Sequence, residues 1–425
     1  MAERYTIRIA VFESGERFAL LVDRRTGMPL FDPTVFTMTE FRARNRASAT
    51  IEQVLRALKV FLLFCEQREI ELTERMQQGR LLELGELDAL AQLCRLPMVD
   101  IEALVDSSLP TGSGGGAVSF ESYRARAKEA PPEVAGDSAG MRVRYIREFI
   151  RWLTDRRLLS LSAQHPSRAA LLSNKEIVIS GLTARIPTGK GRNKANNRRA
   201  LDEVTQERLW EIIDVNSPEN PWEGRHVRVR NELIVRWFMG LGIRRGELLG
   251  VKISDVDFRA NEVFIARRAD DSSDPRPHQP NTKTADRLLP ISDDLARRTR
   301  QYIIEERRRH SAARKHEFLF VANGGAPLSL RGLNEIFIAL RKSQPELPKV
   351  FPHLFRHTYN YNFSKLADEQ GMDPEREKKT RSQLMGWSET SNTAETYTRR
   401  EIERKAREAS LQLQSKMVMP GKDNE

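Results

Sequence analysis

One stretch near the middle of the chain lacks acidic residues, and this constrains the fold more than any other feature. Between Glu176 and Asp202 there is no aspartate or glutamate, and the glycine, proline and asparagine residues there favour neither a helix nor a strand. Its basic residues are Arg185, Lys190, Arg192, Lys194, Arg198 and Arg199. Because like charges repel, such a segment stays extended. The sequence therefore predicts a basic linker over 166–200 between two separately folded regions.

The charge of the whole chain favours a polyanionic partner. Its 425 residues include 70 Lys and Arg against 59 Asp and Glu, which is a net charge of +11. Such a surplus is typical of proteins that bind nucleic acid, although a basic enzyme without a polymer partner has the same balance. The six basic linker residues are candidate DNA contacts, since each contact with a phosphate releases a counterion.

Apolar patterning predicts a mainly α-helical protein with a small antiparallel β-sheet, which is an α+β fold. Residues 1–34 alternate around a turn, as a β-hairpin extension does, and apolar residues at three-and-four spacing predict a helical domain over 35–165. A third domain, 201–400, is mostly helical. Its short strands are expected near 250–253, 262–267 and 287–291. The tail, 401–425, has a helical pattern with a thin apolar stripe.

Two features of the predicted helices leave alternatives open. Around 142–157 one helix side is apolar and the other carries arginines, which is either an ordinary solvated face or a surface that lies along phosphates. The tail helix either packs on its own domain or docks onto a neighbouring protomer. The hairpin, similarly, is either a DNA-contacting arm or a packing extension.

Cysteine usage and hydropathy indicate where the protein is expected to act. Cys65 and Cys94 are the only cysteines, and both lie in leucine-rich helical patterns, where buried free thiols are expected. No apolar run approaches the roughly 18 residues of a membrane span. The N-terminal residues lack the apolar core of a signal peptide. We therefore expect a cytoplasmic protein with no membrane contact, associated with the nucleoid in a bacterium.

The first concentration of functional groups is "MGLGIRRGELLGV", residues 239–251. Gly240 and Gly242 are expected to end one helix, and Arg244 to open the next. A helix start offers unpaired N–H groups and a partial positive charge, so an arginine there strengthens an anion site. Glu247, three residues on, is placed to brace the guanidinium.

Two further motifs carry a lysine and a pair of histidines. In "NTKTADRLLPI", residues 281–291, Lys283 follows a polar loop and precedes a strand, which alone says little. In "FPHLFRHTYNYNF", residues 351–363, a proline starts a helix, so that His353 and Arg356 share a face near its N-terminus and His357 lies one residue on. A metal site is the rival interpretation, but no HExxH glutamate or cysteine accompanies the histidines and the arginine would repel a cation. We predict no metal.

The fourth motif is "LMGWSETSNTAETYTRR", which contains Trp387 and Tyr397. In this order the four motifs resemble the tyrosine recombinase (phage integrase) family. The resemblance covers roughly 200–400 for the catalytic domain and, more weakly, 40–160 for a helical core-binding domain. The shared series is Arg, Lys, His-x-x-Arg, His or Trp, and Tyr, flanked here by "GELL", "RHT" and "LMGW". The complete series is far more specific than any of its parts.

The resemblance implies a phosphate clamp. Arg244 and Arg356 would hold the scissile phosphate, and Trp387 would take the position more often held by histidine. Glu247 and His357 are expected to support them.

The resemblance also implies the proton transfers and the nucleophile. Tyr397 would attack the phosphorus, Lys283 would protonate the leaving 5′-oxygen, and His353 would be the acid–base partner. The interval from Trp387 to Tyr397 is one residue longer than is usual in the family. Three other tyrosines lack the neighbouring motif and are poor rivals as nucleophiles, namely Tyr302, Tyr359 and Tyr361.

The function implied is site-specific DNA recombination for a mobile genetic element, through a 3′-phosphotyrosyl intermediate and without metal, ATP or another cofactor. The partners implied are double-stranded DNA and further copies of the chain, in a tetramer on two DNA sites held together by the C-terminal helix; accessory proteins are a further class. Alternatives that use the same residue types are a type IB topoisomerase, a hairpin telomere resolvase, and a regulator that binds DNA without cutting it.

Overall fold

The computed structural model describes residues 4–108, 133–187, 200–280, 282, 285–388 and 410–414. By their internal contacts the residues form two compact units. One consists of Met1–Phe12 and Arg17–Ala195, and the other of Glu13–Glu16 and Asn196–Glu425. Within the described ranges, no helix is both long enough and apolar enough to cross a membrane.

The first unit begins with the predicted hairpin. Strands β1 (Tyr5–Val11) and β2 (Arg17–Asp23) pair antiparallel along their whole length. Leu21 on β2 is fully buried in the core that the hairpin shares with the helices that follow. The hairpin therefore packs on this unit, which is one of the two roles that the sequence left open.

Helices make up the rest of the first unit. They are α1 (Phe31–Thr37), α2 (Ser48–Gln67), α3 (Leu72–Gln77), α4 (Leu84–Leu93), α5 (Met98–Ser108), α6 (Gly136–Ser160) and α7 (Pro166–Ala184). A π-helical turn, Met38–Arg42, continues α1. Helix α2 carries its apolar residues at the three-and-four spacing that predicted a helical domain over 35–165, and its Phe61 ring meets the Phe149 ring of α6 edge to face at 6.2 Å.

The arginines of α6 largely bond within the first unit. The guanidinium of Arg142 donates to the carbonyl oxygens of Cys94 and Leu96, at 3.0 and 2.6 Å. Arg156 forms an ion pair with Asp32 at 2.6 Å. These arginines thus tie α6 to other parts of the unit, a role that the sequence alternatives of a solvated face or a phosphate-binding face did not include.

The predicted linker over 166–200 was wrong for its first part, because Pro166–Ala184 is helix α7. Leu171, Val178 and Leu182, spaced seven and four residues apart, are fully buried against the rest of the unit. The basic, glycine-rich composition that suggested a linker belongs to the residues after α7. Of those, 188–199 lie outside the described residues.

The second unit is also mainly helical. Its helices are α8 (Glu203–Ile213), α9 (Arg225–Leu241), α10 (Arg245–Gly250), α11 (Asp293–Gln301), α12 (Leu330–Ser343), α13 (Pro352–Glu369) and α14 (Pro374–Met385). A π-helical turn follows α11 at Tyr302–Glu306, and two 3₁₀ turns follow at Arg307–Arg309 and Ser311–Lys315. Residues 410–414 of the predicted tail helix are helical.

Three short antiparallel strands form the sheet of the second unit. They are β3 (Val256–Asp257), β4 (Glu262–Ile265) and β5 (Arg287–Pro290), in the order β3-β4-β5. The strand expected near 250–253 is reduced to one isolated antiparallel bridge between Lys252 and Phe318, because Ile253–Asp255 is a 3₁₀ turn closed by the Lys252 N–H, which donates to the Asp255 carboxylate at 2.7 Å. The predicted fold class, mainly α with a small antiparallel sheet and an N-terminal hairpin, is confirmed.

Helix α9 lies at the centre of the second unit. Trp237 and Phe238 are fully buried, and the Phe238 ring stacks on the Phe355 ring of α13 with centroids 6.1 Å apart. This packing sets α13, which carries the histidine–arginine motif, against the end of α9, where the glycine–arginine motif begins.

Candidate active site

The turn between α9 and α10 is built around a glycine. Helix α9 ends at Leu241, and Gly242 follows with a φ of +59°. A Cβ on Gly242 would lie 2.6 Å from Cδ1 of Tyr359, so both the backbone conformation and the space require glycine. Arg244 is the N-cap of the next helix, as the sequence predicted.

Arg244 forms an ion pair with the buried carboxylate of Glu247. Its Nη1 lies 3.2 Å from Oε1 of Glu247, and its backbone N–H donates to Oε2 at 3.0 Å. The Arg244 side chain is 30% exposed whereas that of Glu247 is fully buried. Since α10 has only six residues, the exposed guanidinium, and not the helix terminus, is the positive group that the turn offers to an anion.

A residue that the sequence analysis missed holds the other side of Glu247. Arg287 opens β5, and its Nη2 donates to Oε2 of Glu247 at 2.8 Å while its Nε donates to the carbonyl oxygen of Leu384, also at 2.8 Å. The Arg287 side chain is only 6% exposed. The available signal was its register: Arg287 and Leu289 alternate onto the buried face of the strand, where an arginine needs a partner.

Arg356 lies in the first turns of α13, which begins at Pro352 as predicted. It is 2% exposed. Its Nη1 donates to the carbonyl oxygen of Gly242 at 2.7 Å, and its Nη2 donates to that of Met385 at 3.0 Å. The guanidinium is thereby fixed between the turn that carries Arg244 and the end of α14.

Trp387 covers this second arginine. Helix α14 ends at Met385, Gly386 follows with a φ of +63°, and the Trp387 N–H donates to the carbonyl oxygen of Ser382 at 2.9 Å. The centroid of the Trp387 ring lies 5.3 Å from the Arg356 guanidinium carbon, which is a cation–π contact.

The two histidines of α13 are neighbours. The rings of His353 and His357 have centroids 4.5 Å apart and planes at 75° to each other, and His353 is exposed. Within the described ranges, no group of three or more His, Cys, Asp or Glu side chains is arranged to hold a metal ion. The metal interpretation of this histidine pair therefore gains no support from its surroundings.

The described tyrosines of the second unit are unsuited to be nucleophiles or lie without a neighbouring motif. Tyr302 is fully buried, and burial raises its pKa to about 12. Burial also raises the pKa of Tyr359 above its ordinary value, although Arg356 and Arg287 nearby oppose the shift. Tyr361 is 38% exposed on α13.

The structure brings one part of the predicted site together. Arg244, Glu247, Arg356 and Trp387 form a connected group, to which Arg287 is added, and its three guanidiniums outnumber its one carboxylate. Such a group suits an anionic, phosphate-like ligand. Lys283 and Tyr397 lie outside the described residues, as do Lys190, Arg192, Lys194, Arg198 and Arg199.

The sixth predicted linker contact, Arg185, is described and has protein partners. It caps α7, and its Nε donates to Oδ1 of Asp88 at 2.6 Å while its Nη1 donates to the carbonyl oxygen of Gly181 at 2.9 Å. Its contact with DNA stays a prediction.

Comparison with known proteins identifies the class of the second unit. Residues 202–404 match the model of the phage integrase family. The matched range contains the whole series from Arg244 to Tyr397. Over these residues, which are just under half of the chain, the protein is similar to the phage integrase family.

The particular relatives are bacterial recombinases. The tyrosine recombinase XerC of Bacillus subtilis (strain 168) is 24% identical over 155 residues, which are 36% of this chain and 44% of that protein. The tyrosine recombinase XerC of Bacillus licheniformis is 26% identical over 162 residues, or 37% of this chain and 46% of that protein. The chain thus spans less than half the length of these relatives.

Solved structures of similar proteins include the XerA recombinase, which is 19% identical at a TM-score of 0.35, with 76% of this chain and 99% of that chain covered. The Tn1549 transposon integrase in complex with circular intermediate DNA is 16% identical at a TM-score of 0.39, with 70% and 88% covered. TM-scores this low carry no argument about function.

Proposed function

We propose that the protein is a site-specific DNA recombinase that cleaves and rejoins DNA strands through a 3′-phosphotyrosyl intermediate, in the service of a mobile genetic element. The observation that carries the proposal is a pair of guanidiniums held by other groups of the same family domain. Arg244 stands on Glu247, and Arg356 lies between the carbonyls of Gly242 and Met385.

The two arginines supply what phosphoryl transfer needs most. A phosphodiester is anionic and resists attack by an electron-rich oxygen, and negative charge grows on its equatorial oxygens in the transition state. Guanidiniums fixed in advance stabilise that charge without reorganisation. Because Arg356 is only 2% exposed, we expect DNA binding to shift the Trp387 ring, which would then steady the phosphate.

The chemical step uses residues that we assign from the family series. The Tyr397 oxygen attacks the phosphorus, and the bond between phosphorus and the 5′-oxygen breaks. The phenolic proton, with a pKa of about 10 in the free side chain, passes to His353. Lys283 gives a proton to the leaving 5′-oxygen. The products are a 3′-phosphotyrosyl ester and a free 5′-hydroxyl.

Rejoining reverses this step with a different strand. The 5′-hydroxyl of a second DNA attacks the phosphotyrosyl ester, the phosphorus–tyrosine bond breaks, and the phenol recovers its proton. The ester retains the bond energy, so neither ATP nor another cofactor is required, and the arginines take the electrostatic role that a metal has in other enzymes.

We propose the following partners and organisation. Double-stranded DNA is bound by the core-binding domain, 35–165, and by the catalytic domain, 201–400, and the basic residues after α7 contact phosphates. The tail, 401–425, links copies into a tetramer on two DNA sites, and accessory proteins are further partners. The protein acts in the cytoplasm, on the nucleoid of a bacterium. The basic surplus of the chain and its two buried free thiols support this.

The test is capture on a suicide duplex, from which the strand with the new 5′-hydroxyl diffuses away and leaves the intermediate trapped. We expect a covalent protein–DNA adduct that forms in EDTA and is absent from Tyr397→Phe. Tyr361→Phe is the matched control, since Tyr361 is an exposed tyrosine of the same unit, and it should form the adduct. An adduct that survives Tyr397→Phe, or a strict need for metal, would sink the mechanism.

The same preparation separates the alternatives. Exchange of strands between two DNA sites indicates a recombinase, relaxation of supercoils without exchange indicates a topoisomerase, and formation of hairpin ends indicates a telomere resolvase. Tight binding without any adduct indicates a regulator.

A further inference from the structure

We propose that Arg287 is a positioning residue that fixes Arg244 for the phosphate, acting through Glu247. This inference rests on the proposed function and adds a residue to it. Arg287 is buried, comes from a different element than either clamp arginine, and has its guanidinium bonded on two sides, to Glu247 and to the carbonyl of Leu384.

The contacts form one continuous chain across the site. Arg244 contacts Oε1 of Glu247 at 3.2 Å, and Arg287 contacts Oε2 of the same carboxylate at 2.8 Å. Arg287 also bonds the carbonyl of Leu384, and the next carbonyl along the chain, that of Met385, bonds Arg356. Arg287 therefore bonds both to Glu247, which holds Arg244, and to the carbonyl next to the one that holds Arg356.

The charges explain why a second arginine is useful here. Glu247 is fully buried, and a buried carboxylate requires compensation. Arg287 provides it permanently, since it is only 6% exposed and is turned away from solvent. Arg244 need not neutralise Glu247 alone, so its 30% exposed guanidinium keeps donors for a phosphate. Without Arg287, Arg244 would pair more closely with the Glu247 carboxylate and would have fewer donors left for a phosphate.

A substrate without charge at the scissile phosphate distinguishes this role from simple loss of folding. A methylphosphonate replaces one charged oxygen by a methyl group, so an arginine that neutralises that oxygen becomes nearly dispensable. We expect Arg244→Ala to slow cleavage of an ordinary phosphodiester about 10²-fold or more. It should slow cleavage of one methylphosphonate isomer by much less.

The experiment measures single-turnover adduct formation by the full chain. Its probes are suicide duplexes with the DNA site recovered from covalent adducts, carrying either a phosphodiester or each methylphosphonate isomer. Arg287→Met should slow cleavage of the phosphodiester about tenfold to a hundredfold. Its loss of rate should be smaller on the methylphosphonate isomer that also reduces the loss of rate in Arg244→Ala. Arg287→Met should add little to Arg244→Ala in the double variant, as expected for residues that act through one interaction.

Controls separate the outcomes. Arg230→Met removes another buried arginine of the second unit, one that donates to Asn231 and to the carbonyl of Val321, and its small loss should be equal on every substrate. Arg287→Lys keeps the charge but cannot bond on two sides as the guanidinium does. If Arg287→Met does not fold, the loss of cleavage rate in Arg287→Lys is compared between the phosphodiester and each methylphosphonate isomer instead. Equal losses on all substrates, or no loss, would overturn the inference. An adduct that persists in Tyr397→Phe would instead overturn the proposed function.

Discussion

Gly242 serves the site through its backbone in two ways. Its φ of +59° turns the chain from α9 towards Arg244, and its carbonyl oxygen accepts a hydrogen bond from Arg356 at 2.7 Å. Tyr359 and Met385 close over it, so that an added Cβ would lie 2.6 and 3.0 Å from their side-chain atoms. The separation of the two arginines thus depends on the absence of a side chain at this position.

We expect Gly242→Ala to be both destabilising and damaging to cleavage. Gly371 has the same φ of +59° but no atom near its would-be Cβ, so Gly371→Ala is the matched control. The control should cost about 1–2 kcal/mol for the left-handed backbone. Gly242→Ala should cost about 1–3 kcal/mol more for overpacking. Denaturant unfolding, followed by tryptophan fluorescence, measures both; equal costs would contradict the geometry.

The sequence was enough to predict the partners of some site residues but not of others. Arg244 and Glu247 are three residues apart after a helix-breaking glycine, so local spacing was enough to predict their pairing. Arg287 finds its partner Glu247 forty residues away, and no local rule links them. Its position among the buried residues of β5 was a signal that a partner existed, but only the fold identifies which one.

At the scale of elements, a buried arginine ties residues 271–276, which lie between β4 and β5, to the rest of the second unit. Arg276 is buried, forms a two-pronged ion pair with Asp274, and donates to the carbonyls of Leu249 and Leu328, at 3.1 and 2.8 Å. Its guanidinium also lies 4.4 Å from the Phe318 ring centroid. This arginine fastens the connection to the end of α10.

We expect Arg276→Met to loosen that connection. Loss of one partner from a buried ion pair costs about 3 kcal/mol or more, because the buried Asp274 carboxylate loses the guanidinium that pairs with it. Local opening should then speed amide exchange in residues 271–276 about a hundredfold. Hydrogen exchange with mass spectrometry measures this. Adding Asp274→Asn should recover part of the protection, and unchanged exchange in Arg276→Met would contradict the bracing.

The fate of the predicted linker shows where sequence patterns fail at this scale. Only Leu171, Val178 and Leu182 of α7 are buried, whereas other apolar residues such as Leu172 and Ile177 are exposed, and basic residues follow directly after it. The basic, glycine-rich composition of the residues after α7 led to the prediction of a linker, although the apolar residues of α7 have a weak helical periodicity. In α2, by contrast, apolar residues recur on every turn, as expected within the helical domain predicted over 35–165.

At the scale of the whole molecule, several of the arginines that make the chain basic bond to groups of their own unit. Arg142, Arg156 and Arg185 are bonded to groups of their own unit. The predicted DNA contacts between 188 and 199 are therefore the main test of whether charge in the middle of the chain serves DNA binding.

Neutralising that segment should lower the salt dependence of binding. With Lys190, Arg192, Lys194, Arg198 and Arg199 changed to Gln, the slope of log affinity against log salt should lose about 4.5 in magnitude if each residue contacts one phosphate. Titration of a labelled duplex at several salt concentrations gives the slope. Arg156→Gln, which removes a guanidinium outside the segment that is already paired with Asp32, should change it by less than one contact. An unaltered slope in the fivefold variant would contradict the assignment.

Mapping of the covalent adduct shows whether Tyr397 is the residue that cuts DNA. The adduct is digested with protease and nuclease, and mass spectrometry locates the residue that keeps a nucleotide. We predict a nucleotide joined through its 3′-phosphate to Tyr397, with a free 5′-hydroxyl on the released strand. A nucleotide on Tyr359, Tyr361 or any other residue, or a 5′-phosphate linkage, would contradict the account.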